Sequence, residues 1–261
     1  MDFFEKIEVL RADNNLLWNI PERKQGAVNV IGGNGQRFRD EVKVGEYLST
    51  HYPVEMVRLV LPNSLQGKLP ELPNIEFLPA TAAGSFDESQ QLINIFGKAD
   101  YNLVLGDLSR NNVTGQAIAS ALKSTEKMTL ITRDGVDLLA ENMPDRVLMN
   151  ENIAIMGSVI QLQKLLRAVY YPKMLLASQS LVQVAEVLHK FTLSYPIGVI
   201  TLHNGQVLVA RDGAVTAMEL AKSGYSPLMF WSGELAAKVV AMNLYNPGKF
   251  VEATICAIFQ K

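Results

Sequence analysis

A chain of 261 residues accommodates one large α/β domain or two small ones. Its 48% hydrophobic and 19% charged residues form a globular composition, and a net charge of -2 gives no electrostatic basis for binding nucleic acid. No apolar run is long enough to span a bilayer, so no membrane partner is expected, and the opening residues lack the basic-then-apolar layout of a signal peptide, so the cytoplasm is the expected location.

In chain order, residues 3–18 predict an amphipathic N-terminal helix, and residues 21–26 a turn. Residues 27–31 form an apolar strand stopped by Gly32-Gly33-Asn34-Gly35, and a polar helix over 36–50 follows. That order is the first half of a βαβ unit. Strands are then expected at 54–61, 75–78 and 101–105, the last ended by Gly106-Asp107, with a helix over 114–123. A strand at 128–131, a turn at 132–135 and a short helix at 136–141 come next. Residues 146–149 predict a further strand, followed by helices at 158–169 and 181–191. His203-Asn204-Gly205 carries the Asn-Gly turn signal between strands 197–202 and 206–210, which therefore form a hairpin. Helices at 234–246 and 251–259 flank a Pro247-Gly248 break. Alternating strands and helices without a linker predict one α/β domain over 1–261, a mainly parallel sheet with helices on both faces and an antiparallel hairpin toward one edge. Ligands in such sheets sit beyond the carboxyl ends of the strands, where loops 32–35, 106–112, 132–135 and 150–152 are expected to gather.

The segment from Pro227 to Met242 is the most informative for chemistry. Ser232-Gly233 interrupts an apolar stretch, Glu234 follows, and a helical run begins. Unpaired N–H groups at a first turn make an anion cradle, here with a carboxylate beside it, although Glu234 could equally be a carboxylate that suits the helix dipole. Arg37 and Arg39 stand near the glycine loop, either reaching phosphate or lying on a solvated helix face. Asp134 is a site carboxylate or a helix cap, and Asn150, Glu151 and Asn152 a polar loop that could line a substrate. His203, in a hairpin turn, is expected to be exposed. Three scattered histidines and one cysteine, Cys256, expected to be buried, give no protein-only metal site, whereas magnesium arriving with a nucleotide needs few protein ligands. The glycine loop fits neither the dinucleotide fingerprint nor a Walker loop.

Taken in order, these loops resemble the NAD(P)H-hydrate dehydratase family of the ribokinase-like superfamily, over residues 21–259. The family's Gly-Gly-Ser loop is matched by Gly32-Gly33-Asn34, its Gly-Pro-Gly-Leu-Gly loop by Gly106-Asp107-Leu108-Ser109, and its Asp-Ala-Asp turn by Thr132-Arg133-Asp134. Its Lys-Gly hairpin is matched by His203-Asn204-Gly205, and its Gly-Ser-Gly-Asp anion hole by Trp231-Ser232-Gly233-Glu234. The resemblance implies that ATP or ADP, with magnesium, phosphorylates the hydroxyl of hydrated NADH or NADPH, and that phosphate then leaves. It implies Glu234 as base, Trp231, Ser232 and Gly233 on the nucleotide phosphates, and His203, Asn204 and Gly205 on the nucleotide. Gly33, Asn34, Gly106, Asp134, Asn150 and Glu151 would face the substrate, in a homo-oligomer.

The departures fall together at the site. Glu234 is one methylene longer than the family's aspartate, and a carboxylate displaced by roughly 1 Å can cost on the order of 100-fold in rate. Phe230 and Trp231 replace paired glycines and are expected to crowd the phosphate path. Thr132 replaces an aspartate, and the family's Thr-Pro-His segment reads Met149-Asn150-Glu151. Three functions are compatible with this pattern: a hydrate dehydratase with altered site residues, a catalytically silent nucleotide-binding homologue, or a small-molecule kinase.

Overall fold

The structure, a computed structural model, describes residues 3–8, 19–69, 73–142 and 144–259. Its described strands form one ten-stranded sheet in the order β1-β10-β9-β8-β7-β6-β5-β2-β3-β4. The strands are β1 (Phe4–Ile7), β2 (Ala27–Gly32), β3 (Met56–Pro62), β4 (Ile75–Leu78), β5 (Tyr101–Gly106), β6 (Met128–Thr132), β7 (Ile153–Met156), β8 (Gly198–His203), β9 (Gln206–Arg211) and β10 (Ala214–Glu219). Neighbours are parallel except at β8/β9 and β9/β10. Strands β5 and β7 are buried along their whole length, as strands covered on both faces must be.

Alternate side chains of the strands feed two cores. On one face, Ile31, Val104 and Ile131 pack with α2 (Gln90–Phe96), α3 (Asn112–Ser124), α4 (Asp134–Glu141), α6 (Val159–Ala168) and α7 (Leu181–Ser194). On the other, Val30, Leu103 and Leu130 pack with α1 (Arg39–His51), α9 (Gly233–Tyr245) and α10 (Phe250–Phe259). The predicted three-layer α/β sandwich with one antiparallel edge is therefore the observed fold, and Cys256 is buried in α10 as expected.

Local predictions fail where the chain is short of periodic signal. Residues 4–7 form strand β1, parallel to β10, instead of helix, because pairing with an exposed edge outweighs a four-residue propensity; the remainder of that expectation, residues 9–18, lies outside the described residues. Residues 146–149 are not a strand. They fall mostly in the short helix α5 (Pro144–Leu148), which Pro144 opens at the position where a missing N–H costs least. The true strand is β7, seven residues further on. Helix α2 and strand β10 were not anticipated either. The β9–β10 hairpin turns through Asp212 (φ 50°) and Gly213 (φ 79°), the same left-handed pair found at Asn204 (φ 48°) and Gly205 (φ 74°) in β8–β9.

A buried amide network ties the central strands to α2. The Asn29 side chain donates to Ile95 O (2.8 Å) and Asn102 Oδ1 (2.9 Å), and Asn102 donates to Phe96 O (3.0 Å). Between β8 and α10 the packing leaves no slack: a Cβ on Gly198 would lie 2.5 Å from Phe250 Cζ. Gly198→Ala is therefore expected to destabilise the fold by about 1–3 kcal/mol through overpacking, read as a lowered urea midpoint with unchanged m-value.

Candidate functional site

Strands β2 and β5 are neighbours, yet the chain leaves β2 toward β3 and β4 and leaves β5 toward β6, β7 and β8. This divergence is a topological switch point, where a crevice opens beyond the carboxyl ends. Two glycines make it possible. Gly33 N–H donates to Gly106 O (3.0 Å), a Cβ on Gly32 would lie 2.6 Å from both Gly106 O and Glu41 Oε1, and one on Gly106 would lie 2.6 Å from Asp134 Oδ1. Gly106 takes φ 124°, and the next turn positions, Asp107 (φ 52°) and Arg133 (φ 54°), hold left-handed backbones that strain ordinary residues.

The crevice concentrates buried charge. Glu41, in the first turn of α1, is 0% exposed, and neither carboxyl oxygen has a hydrogen-bond partner among the described residues. Burial pushes its carboxyl up to about 8 against the pull of its own backbone N–H; the charges of Asp107 and Asp40 push the same way as burial, and Arg133 opposes them. Asp134 Oδ1 is also buried and unpartnered; burial, then Asp107, raise this carboxyl to about 6. Arg133 bridges Asp40 (2.8 Å) and Asp107 (3.6 Å). Asn34 pins the glycine loop by donating to Asp107 O (2.6 Å) and accepting from Gln36 N (2.9 Å). Above this cluster is a cavity of about 600 Å³ whose wall includes Asn34, Arg37, Asp107, Arg110, Arg133 and Asp134. Three guanidinium groups on one cavity, two of them clear of the Asp40 and Asp107 ion pairs of Arg133, suit a polar, anionic ligand.

The anion cradle is built at α9. Ser232 caps the helix, its Oγ accepting from Leu235 N (3.3 Å). The N–H groups of Trp231 and Ser232 close the preceding helix α8 (Pro227–Phe230), and those of Gly233 and Glu234, at the first turn of α9, have no intrahelical acceptor. Gly233 fits tightly, since a Cβ there would meet Val44 at 2.6 Å and Leu105 at 3.1 Å. Phe230 turns into the core, fully buried, with half-buried Trp231 edge-on to it (4.8 Å), so Phe230 does not crowd a phosphate path as its sequence position suggests. Glu234 is exposed and outside the wall of the crevice cavity. Its charge adds to burial in raising the phenols of Tyr47 and Tyr225.

Other predicted residues lie elsewhere. Asn150 and Glu151 precede β7, so they sit at the amino end of the sheet, opposite the crevice; the expected clustering of loop 150–152 depended on the misassigned strand. Asn150 donates to Leu122 O (2.9 Å) and Thr125 O (2.8 Å), tying down the end of α3, and Glu151 O accepts from Arg211. His203 is only 3% exposed, not solvated, because its Nε2 packs against Gln179 O (2.8 Å); Asn204 and Gly205 remain exposed at the turn. Thr132 is buried and donates to Leu105 O (2.6 Å), a bond an aspartate could not make. Arg39 is exposed and outside the cavity. The sequence reading passed over Glu41, Asp107, Arg110 and Arg133. A signal for Glu41 existed: it shares the buried face of α1 with Val44 and Leu48, at i, i+3 and i+7.

The Glu41 carboxyl yields a pH test. Its folded value lies above the ordinary 4.5, so between pH 4.5 and about 8 the folded state holds a proton that the unfolded state has lost. Stability contributed by this group therefore falls as pH rises through that window. Glu41→Gln is expected to flatten the decline and to raise stability at pH 9 by on the order of 4 kcal/mol, measured by urea unfolding from pH 4 to 9.

No family model matches the chain, and no curated protein matches it. Among solved structures, the chain is similar to a ribokinase-like superfamily protein from Enterococcus faecalis, with a TM-score of 0.67 and 14% identity, over 99% of this chain and 86% of that one. It is also similar to the ADP/ATP-dependent NAD(P)H-hydrate dehydratase of Bacillus subtilis, co-crystallised with ATP and magnesium (TM-score 0.60, 12% identity, 94% and 83% covered). Ribokinase from Thermotoga maritima follows the same course (TM-score 0.56, 12% identity, 89% and 90% covered). At these identities the likeness is one of fold, and the fold of this chain is ribokinase-like.

Proposed function

We propose that this protein binds nucleotide phosphates at the first turn of α9 and an anionic, hydroxylated substrate in the switch-point crevice. The finer reading is nucleotide-dependent dehydration of hydrated NADH or NADPH, with ATP or ADP arriving with magnesium. One observation carries it: beyond the carboxyl ends of β2 and β5 three arginines, Asp107 and Asp134 wall one cavity, with the fully buried Glu41 packed against Gly32 beside it.

The residues fit the roles. The N–H groups of Gly233 and Glu234, with the helix dipole behind them, suit phosphate oxygens. Magnesium would arrive with the nucleotide, held mainly by phosphate oxygens and water, and so needs few protein ligands. Bound nucleotide supplies the phosphoryl group. As the substrate hydroxyl loses its proton to a carboxylate and its oxygen bonds to the terminal phosphorus, the bond from that phosphorus to the nucleotide's bridging oxygen breaks and the shortened nucleotide leaves; phosphate then departs with the electrons of the carbon–oxygen bond while the adjacent ring carbon gives up a proton, which restores the double bond. Glu234 holds the position the resemblance gives to that base, and Asp134 stands on the cavity wall.

The silent-homologue reading is favoured by a different observation, the exposure of Glu234 away from the cavity, beside Tyr47 and Tyr225. Calorimetric titration with ATP–magnesium and ADP–magnesium, followed by a hydrate-conversion assay, separates the two. The proposal expects micromolar nucleotide binding, turnover, and a kcat lowered by 100-fold or more in either Glu234→Gln or Asp134→Asn, whichever removes the base. Binding without turnover establishes the silent homologue. No heat from a folded protein with either nucleotide overturns both.

A further inference from the structure

A second cavity lies at the opposite, amino-terminal end of the sheet, and it is independent of the reading above. We propose that it is a ligand site for a small planar molecule carrying one carboxylate. Its volume is about 540 Å³, within the range of small-molecule sites. Tyr101 at the start of β5, Met128 at the start of β6, Arg211 at the end of β9, the last turn of α9 and Phe250 at the start of α10 enclose it.

Two buried phenols on this cavity point to a ligand. Tyr101 is 2% and Tyr245 9% exposed, and neither hydroxyl has a hydrogen-bond partner among the described residues. Buried polar groups are almost always partnered, so two orphans on one cavity call for an acceptor. Burial raises both phenols, Tyr245 to about 12. Both therefore keep their protons at neutral pH and have a hydrogen bond to give. Arg211 supplies the charge, close enough to Tyr101 to oppose the effect of its burial. One guanidinium nitrogen donates to Glu151 O (2.8 Å), and the group lies 5.3 Å from the centre of the Phe250 ring, which orients it.

The acidic groups nearby are engaged or screened. Asp100 accepts from Ala27 N (2.9 Å) and lies 3.8 Å from Lys127, while Asp212, 3.6 Å from Arg211, is solvated. One guanidinium flanked by two such aspartates suits a single negative charge and disfavours a phosphate. Met128, Leu244, Pro247 and Phe250 offer apolar contact to a flat body.

Benzoate is the probe, titrated into the full-length protein by calorimetry and ligand-detected NMR, with benzamide and inorganic phosphate alongside. The expected result is saturable benzoate binding in the millimolar range, at least fivefold tighter than benzamide or phosphate. Tyr101→Phe is expected to weaken it at least fivefold while leaving the unfolding midpoint of the free protein unchanged or raised, because only an unpartnered hydroxyl is removed. Arg211→Gln is expected to weaken it at least tenfold. No saturable benzoate binding to the wild type, undiminished binding in both variants, or benzamide or phosphate binding as tightly as benzoate overturns the proposal.

Discussion

Everything at the candidate site depends on how closely β2 and β5 approach at their carboxyl ends. Gly33 N–H meets Gly106 O, and no side chain fits on Gly32 or Gly106 without displacing Glu41 or Asp134. Removing two side chains there lets α1 and α4 bring their first turns to the same spot, each with a carboxylate. The left-handed backbones of Asp107 and Arg133 lie beside the same contact, one directly after β5 and the other directly after its neighbour β6, where a Cβ on Gly106 would meet Asp134 and Arg133.

The arrangement is costly, and the cost is local. A fully buried carboxyl without a partner disfavours its own ionisation, and Glu41 meets that by holding its proton to about pH 8. The amide network of Asn29 and Asn102, one layer deeper in the same strands, shows the contrary solution, with the side-chain amides satisfied by carbonyls of α2. A fold able to satisfy buried polar groups there leaves them unsatisfied at Glu41, Asp134, Tyr101 and Tyr245, all beside or lining cavities at the two ends of the sheet.

Helix α9 runs between those ends. It starts with the first-turn N–H groups of Gly233 and Glu234 and finishes at Tyr245 on the second cavity. It packs on α1, α10 and β5 through small residues such as Gly233, Ala236 and Ala237, so the helix is rigidly seated along the sheet.

The alternation of strands and helices, the glycine stops after β2 and β5, the Asn-Gly hairpin and the start of α9 are legible in the sequence. Each is written in a local pattern whose physics is local: a period of two or 3.6, a residue free to take positive φ, or a small Ser-Gly break in an apolar run; the cap that Ser232 makes on Leu235 N comes from the folded chain. Tertiary structure alone decided which loops share an end. Asn150 and Glu151 fell on the wrong side because a four-residue apolar run, 146–149, was indistinguishable from the strand at 153–156 until one of them paired with β6. Strand β1 exists because β10 offers it an edge. Glu41 shares its helix face with Val44 and Leu48, and it becomes fully buried only when α1 packs against Gly32, since burial is a property of the packed layers and not of the residue.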